Sequence, residues 1–425
     1  MAMRLLGPGK GWSYGAAATA AAVTLPSPRR GCHAVAGAVL ALLAAACSPG
    51  GAPASSVPPP ASGLVAGTPS ATAGEARTLY DERNETLKGV RFFEDGWRTD
   101  FSRHSVPLTE IGMAAGPRDS TIPAIDSPVF IPVKESVDWP MGFDLVVALE
   151  MEATARAYPV PILRWHEIVN DVVAGVPVAV TFCPLCNSAV VFDRRVDGVE
   201  YDFGVSGNLR NGDLVMYDRQ THSWWQQFTG EGIVGEHSGK RLSILPAAML
   251  SWADFKASFP DGLVLSRNTG FQRDYGRDPY VTDDGDDLTP ILVDDVDGRL
   301  LVKEKVVGVT LGGIAAAFPF SVLRGQRVVN FAAGDERVVV FLESSGLAAA
   351  FSTGVFDPRV DGEVLTFSAD GDRFVDDQTG SEWSVLGRAA AGPLAGKRMD
   401  RVAHGDYFWF AWAAFNPDTV IYRGP

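Results

Sequence analysis

A chain of 425 residues is longer than one ordinary domain, and its 46% apolar residues supply material for a sizeable core. A formal charge of -14 argues against nucleic acid and anionic lipid headgroups as partners, because such a surface repels polyanions. The first 46 residues carry Arg4, Lys10, Arg29 and Arg30 and no acid, so the remainder holds 33 basic against 51 acidic residues.

Arg29 and Arg30 precede an apolar, small-residue run from Val35 to Ala46 that is short for a membrane span, which predicts an export signal over residues 1–46. The break at Leu43-Ala44-Ala45-Ala46-Cys47 resembles a bacterial lipobox, with Ala44 where leucine is usual; the expectation is a lipid on Cys47. An ordinary secretory signal or an uncleaved anchor is the alternative. Residues 47–75, rich in Pro, Ala, Ser and Gly, cannot bury enough to fold and read as a tether. The expected location is exported, at the cell surface or in the periplasm, with the membrane as partner through that lipid. Cys32 lies in the signal, so a disulfide framework is excluded and the pair Cys183 and Cys186 remains.

The rest contains an internal duplication. Tyr158-Pro159-Val160-Pro161-Ile162-Leu163-Arg164 is answered by Phe318-Pro319-Phe320-Ser321-Val322-Leu323-Arg324, Gln220-Thr221 by Gln378-Thr379, Gly239-Lys240-Arg241 by Gly396-Lys397-Arg398, and Trp252-Ala253-Asp254-Phe255 by Trp412-Ala413-Ala414-Phe415. The division predicted is a leading segment plus first repeat over 76–280 and a second, degenerate repeat over 281–425. Short β-branched or aromatic runs, Val178 to Phe182, Ala189 to Phe192, Leu214 to Tyr217, Val338 to Leu342 and Val364 to Phe367, predict strands, and helices are expected over Ile162 to Asp171 and Ser251 to Phe259. The fold class is α+β, predominantly antiparallel β, as two pseudo-symmetric internal repeats packed together.

The repeats match at apolar and turn positions and differ where chemistry resides: His166 faces Gln326, Glu167 faces Arg327, and Cys183 falls opposite Glu343. The first repeat is therefore expected to carry the site. The residues after Cys186 read as a strand, which places the pair in a strand-to-strand turn, the setting of a metal knuckle, with Asn187 able to take the left-handed conformation. The expected centre is a thiophilic metal, zinc or copper, held by Cys183, Cys186 and His166, for metal handling or metal-dependent redox chemistry. Glu167, Arg210, Asp213 and Met216 are candidates for supporting roles around it. A thiol-disulfide oxidoreductase using the cysteine pair is an alternative, as is a non-enzymatic β binding module of the cell envelope. The run Thr269 to Tyr280 is a candidate cap for a cleft, and Asp283 to Asp287 lacks the full spacing of a calcium loop.

The segments Trp165-His166-Glu167-Ile168-Val169-Asn170-Asp171, Thr181-Phe182-Cys183-Pro184-Leu185-Cys186, Phe203-Gly204-Val205-Ser206-Gly207, Tyr217-Asp218-Arg219-Gln220-Thr221 and Arg273-Asp274-Tyr275-Gly276-Arg277-Asp278-Pro279-Tyr280 together resemble a family of exported bacterial and archaeal proteins known as a domain of unknown function. The likeness extends to Gly96 to Phe101 and Ile122 to Asp126. It implies one folded unit after the linker and no mechanism; Asn187 stands where glycine is expected.

Overall fold

The structure, a computed structural model, describes residues 96–280, 293, 295–344 and 350–425. The expected signal and linker, with Cys47, and the acidic run Asp283 to Asp287 lie outside the described residues, and no described helix is long and apolar enough to cross a membrane. The fold is mostly antiparallel β in several sheets.

The first half opens with a hairpin of Leu145–Met151 and Thr154–Pro159, continues through the helix Val160–His166, and then runs as a meander of Ile168–Val173, Val176–Cys183 and Ser188–Asp193. A second hairpin, Phe203–Arg210 with Asp213–Asp218, leads to Trp224–Gln226 and Gly232–Val234. Ala248–Ser251 returns to pair with Leu145–Met151, the helix Trp252–Ser258 follows, and Leu263–Leu265 pairs parallel to Thr154–Pro159. The first helix starts with proline in its first turn, where a missing N–H costs nothing, and buries Ile162 and Leu163. It ends at His166, five residues before the Asp171 that the sequence pattern suggests. Glu167 is left-handed at φ 56°, and the β-branched run from Ile168 enters the sheet as a strand.

The second half passes through the same succession: Lys305–Leu311, Ile314–Pro319, the helix Phe320–Gln326, Val328–Ala333, Glu336–Ser344, Phe351–Asp357, and so on to the helix Trp409–Phe415 and the parallel strand Val420–Ile421. Details recur. Arg327 is left-handed at φ 61°, as Glu167 is. Asp218 accepts from the Thr221 backbone N–H and from Trp225 Nε1, and Asp376 from Thr379 and Trp383 in the same way. Cys183 pairs with Ser188 where Glu343 pairs with Ser352, so the glutamate holds the cysteine's register. The last helices align differently from the sequence match. By their caps Trp252 corresponds to Trp409, and Phe255 to Trp412; aromatic residues one turn apart made the slip. Val364–Phe367 is also interrupted, with one strand ending at Val364 and the next beginning at Phe367.

The halves share their cores reciprocally. Trp409 and Trp412 of the last helix pack with Phe203 and Trp225 of the first half, and Trp252 and Phe255 pack with Phe367 and Trp383 of the second. Within each half one asparagine clamps two sheets: Asn170 Oδ1 accepts from Phe203 N at 3.0 Å and its Nδ2 donates to Phe203 O at 2.8 Å, and Asn330 does the same to Phe367. Asn170 is buried and Asn330 exposed. Removing a buried partner leaves both backbone groups unpaired, so Asn170→Ala is expected to lower unfolding free energy by about 2–4 kcal/mol and Asn330→Ala by clearly less. Urea unfolding of the two variants checks this, and equal losses would contradict it.

Candidate functional site: a buried thiol and carboxylate cluster

Cys183 ends its strand and Cys186 sits three residues on in the turn, closed by Asn187 at φ 55°, the left-handed conformation expected of it. The second half fixes this turn from outside: Phe408 N donates to Cys186 O at 2.9 Å, and Asn187 Nδ2 donates to Asp406 O at 2.9 Å. Both thiols are free and buried.

The third member is Asp213. The hairpin that carries it runs from Phe203 to Asp218, six residues longer than its counterpart from Phe367 to Asp376, and the extension reaches over the cysteine turn. One ligand atom each from Cys183, Cys186 and Asp213 lies within 4.8 Å of the others. Cys186 Sγ donates to Asp213 Oδ1 at 3.0 Å; Asp213 Oδ2 accepts from Gln226 Nε2 at 2.7 Å and from Phe228 N at 2.9 Å. Sequence reasoning placed Asp213 only in a supporting role, whereas it touches the sulfur directly. Gln226 and the Phe228 backbone were missed. Arg210 stands one layer back, paired with Glu110 at 2.7 Å and reaching Gln226 Oε1 at 3.5 Å. Met216 is fully buried in the core, in register with Trp225.

His166 does not join the cluster. Its Nδ1 bonds Pro123 O at 2.7 Å and its Nε2 bonds Tyr275 OH at 2.8 Å, which leaves neither nitrogen for a metal. Donation from Nδ1 to the carbonyl makes Nε2 the acceptor, the neutral tautomer that burial also favours by lowering the pKa. The ring packs on Phe271 and Tyr275, with centroids at 5.1 and 5.8 Å. The cause is local. The helix ends at His166 and the chain turns left-handed at Glu167, so neighbours in sequence face different surroundings. The glutamate has the cluster's company instead: its Oε1 accepts from Tyr280 OH at 2.7 Å. The run expected to cap a cleft thus serves both residues, and Arg164 with Asp278 at 2.8 Å and Trp165 Nε1 with Arg277 O at 3.1 Å hold it in place.

The site is electrostatically loaded with acids. Burial pushes Cys183 up, and pushes Cys186 well above the ordinary thiol value with Cys183 and Asp213 adding to it. Burial likewise lifts Asp213 to about 6 despite its hydrogen bonds, and Glu167 to about 7, with the charge of Asp213 contributing. The donors to Asp213 are thiols, an amide and a backbone N–H, none of them charged.

Residues 119–419 match the family described as Protein of unknown function (DUF3179), and the chain belongs to that family. No curated protein and no solved structure matches it.

The raised carboxyls set a pH dependence. Between about pH 4, the ordinary carboxylate pKa, and the raised values, the folded metal-free chain binds protons that the unfolded chain has released. Their contribution to stability is full below about pH 4 and lost as pH rises through about 6 for Asp213 and about 7 for Glu167. Denaturant midpoints of metal-free protein across this window are expected to fall more steeply for wild type than for Asp213→Asn; parallel profiles would refute the assignment.

Proposed function

We propose that the chain is a membrane-tethered, extracytoplasmic protein whose first half binds one thiophilic cation through Cys183, Cys186 and Asp213. The observation that carries this reading is the convergence of three ligand atoms within 4.8 Å in a buried site whose carboxylate has no charged donor. Buried acids without a counter-charge stay protonated, and a divalent cation replaces those protons with the charge the site lacks. The carboxylate favours zinc over copper(I), which prefers sulfur alone, and three protein ligands leave the fourth tetrahedral position open. Gln226 and the Phe228 N–H orient Asp213 as outer partners of metal ligands do.

The contact between Cys186 and Asp213 also suits the thiol-disulfide reading, with the carboxylate taking the thiol's proton. Burial opposes it, since the thiolate is the nucleophile and both thiols are pushed away from ionisation. The lipobox-like Leu43 to Cys47 and the stretch without charge from Ser48 to Gly74 support the tether. Palmitate labelling of the expressed chain, abolished in Cys47→Ala, tests it, and undiminished labelling would remove it.

The metal reading predicts about one zinc per chain after purification without chelators, lost in Cys183→Ser and Cys186→Ser, with zinc affinity about 10–100-fold weaker in Gln226→Ala. Elemental analysis and a competitive chelator titration measure both, and a thiol count after metal removal should return two free thiols. Protein that takes up no zinc and carries a readily reduced Cys183–Cys186 bridge would replace this reading with the redox one.

A further inference from the structure

Beside the cluster lies a pocket of about 140 Å³ lined by Ala114, Ala115, Ile122, Leu185, Leu214 and Glu167, among others. Leu214 is buried in the same apolar cluster as Cys183 and Cys186, and Leu185 packs against that cluster, so the pocket's inner wall borders the thiols although no ligand residue lines it. Glu167 and Tyr280, bonded to each other at 2.7 Å, supply the polar end, and the remaining wall is almost wholly apolar. Glu167 stands outside the group of converging ligand atoms, yet its charge is felt at Cys183 and that of Asp213 at Glu167.

The outer wall is a strap of small residues. Ala114 N and Ala115 N both donate to Gly207 O, at 2.8 and 3.1 Å. Gly207 is left-handed at φ 82°, and a Cβ there would stand 1.9 Å from Gly116 O, so the strap seats on this glycine alone. In the second half, Arg327 takes the place of Glu167; it lies over the Phe374 ring at 5.1 Å and donates to Asp372 O at 3.3 Å.

We propose that this pocket is the binding site for a small, largely apolar molecule with one hydrogen-bonding group, held by Glu167 and Tyr280 beside the Cys183, Cys186 and Asp213 centre. The placement next to a metal rests on the function proposed above; the pocket itself does not. A space of roughly 150 Å³ admits one six-membered ring, and the polar pair at one end selects for a hydroxyl or amine over a plain hydrocarbon. A charged ligand is disfavoured, because the apolar walls offer nothing to replace its hydration.

Phenol is the probe. Saturable binding to wild-type protein is expected by NMR titration, weakened at least tenfold in Ala115→Leu and in Ile122→Phe, two substitutions of lining residues that enlarge the side chain, with zinc content unchanged. Glu167→Gln, which keeps the shape, is expected to weaken phenol several-fold. Loading with cobalt(II) in place of zinc should broaden the resonances of bound phenol, which reports its distance from the metal. Absence of saturable binding, or filled variants that bind phenol as wild type does, would overturn the pocket. Phenol binding to a chain that takes up no metal would retain the pocket and refute the metal reading, and bound phenol left sharp by cobalt would overturn their adjacency.

Discussion

The carboxylate of Asp213 is the constraint on which the site depends. A buried carboxylate must be met by donors or stay protonated, and this one is met by a thiol from the cysteine turn and by an amide and a backbone N–H two residues apart at the end of the next strand. To deliver those donors, the extended hairpin, the strand after it and the cysteine turn must all be placed to within a fraction of an ångström. The cluster is therefore a product of the whole first half, and no short motif contains it.

The two halves, which run through the same succession of elements, brace each other. Each half lends its last helix to the core of the other, so neither sheet is covered by its own chain segment alone. Hydrogen bonds cross in both directions, from Phe408 N to Cys186 O and from Ser251 N to Ser352 Oγ. One half is then free to diverge in chemistry while still serving as a wall. Glu343 sits in the register of Cys183 and Arg327 in the place of Glu167, with the surrounding turns and the asparagine clamp retained.

Much of this was legible in the residues. Strand periodicity marked the meander around the cysteines, Asn187 announced the left-handed turn, and comparison of the copies set Cys183 against Glu343. The failure at His166 has a definite physical origin. Adjacency in sequence suggested a shared direction, but the reversal of backbone handedness at Glu167 sends the imidazole to Pro123 and Tyr275. Asp213 was undervalued because it arrives by a long-range contact. The signal was present in the length of its hairpin, which exceeds that of its counterpart by six residues.

The amide of Phe408 closing on the carbonyl of Cys186 ties the cluster to a residue near the end of the chain. The two partners stand 222 positions apart in the chain, so this bond forms only once the end of the chain has folded back onto the first half. A chain cut short before Phe408 would lack that bond while keeping Asp213, Gln226 and the Phe228 N–H around the sulfur.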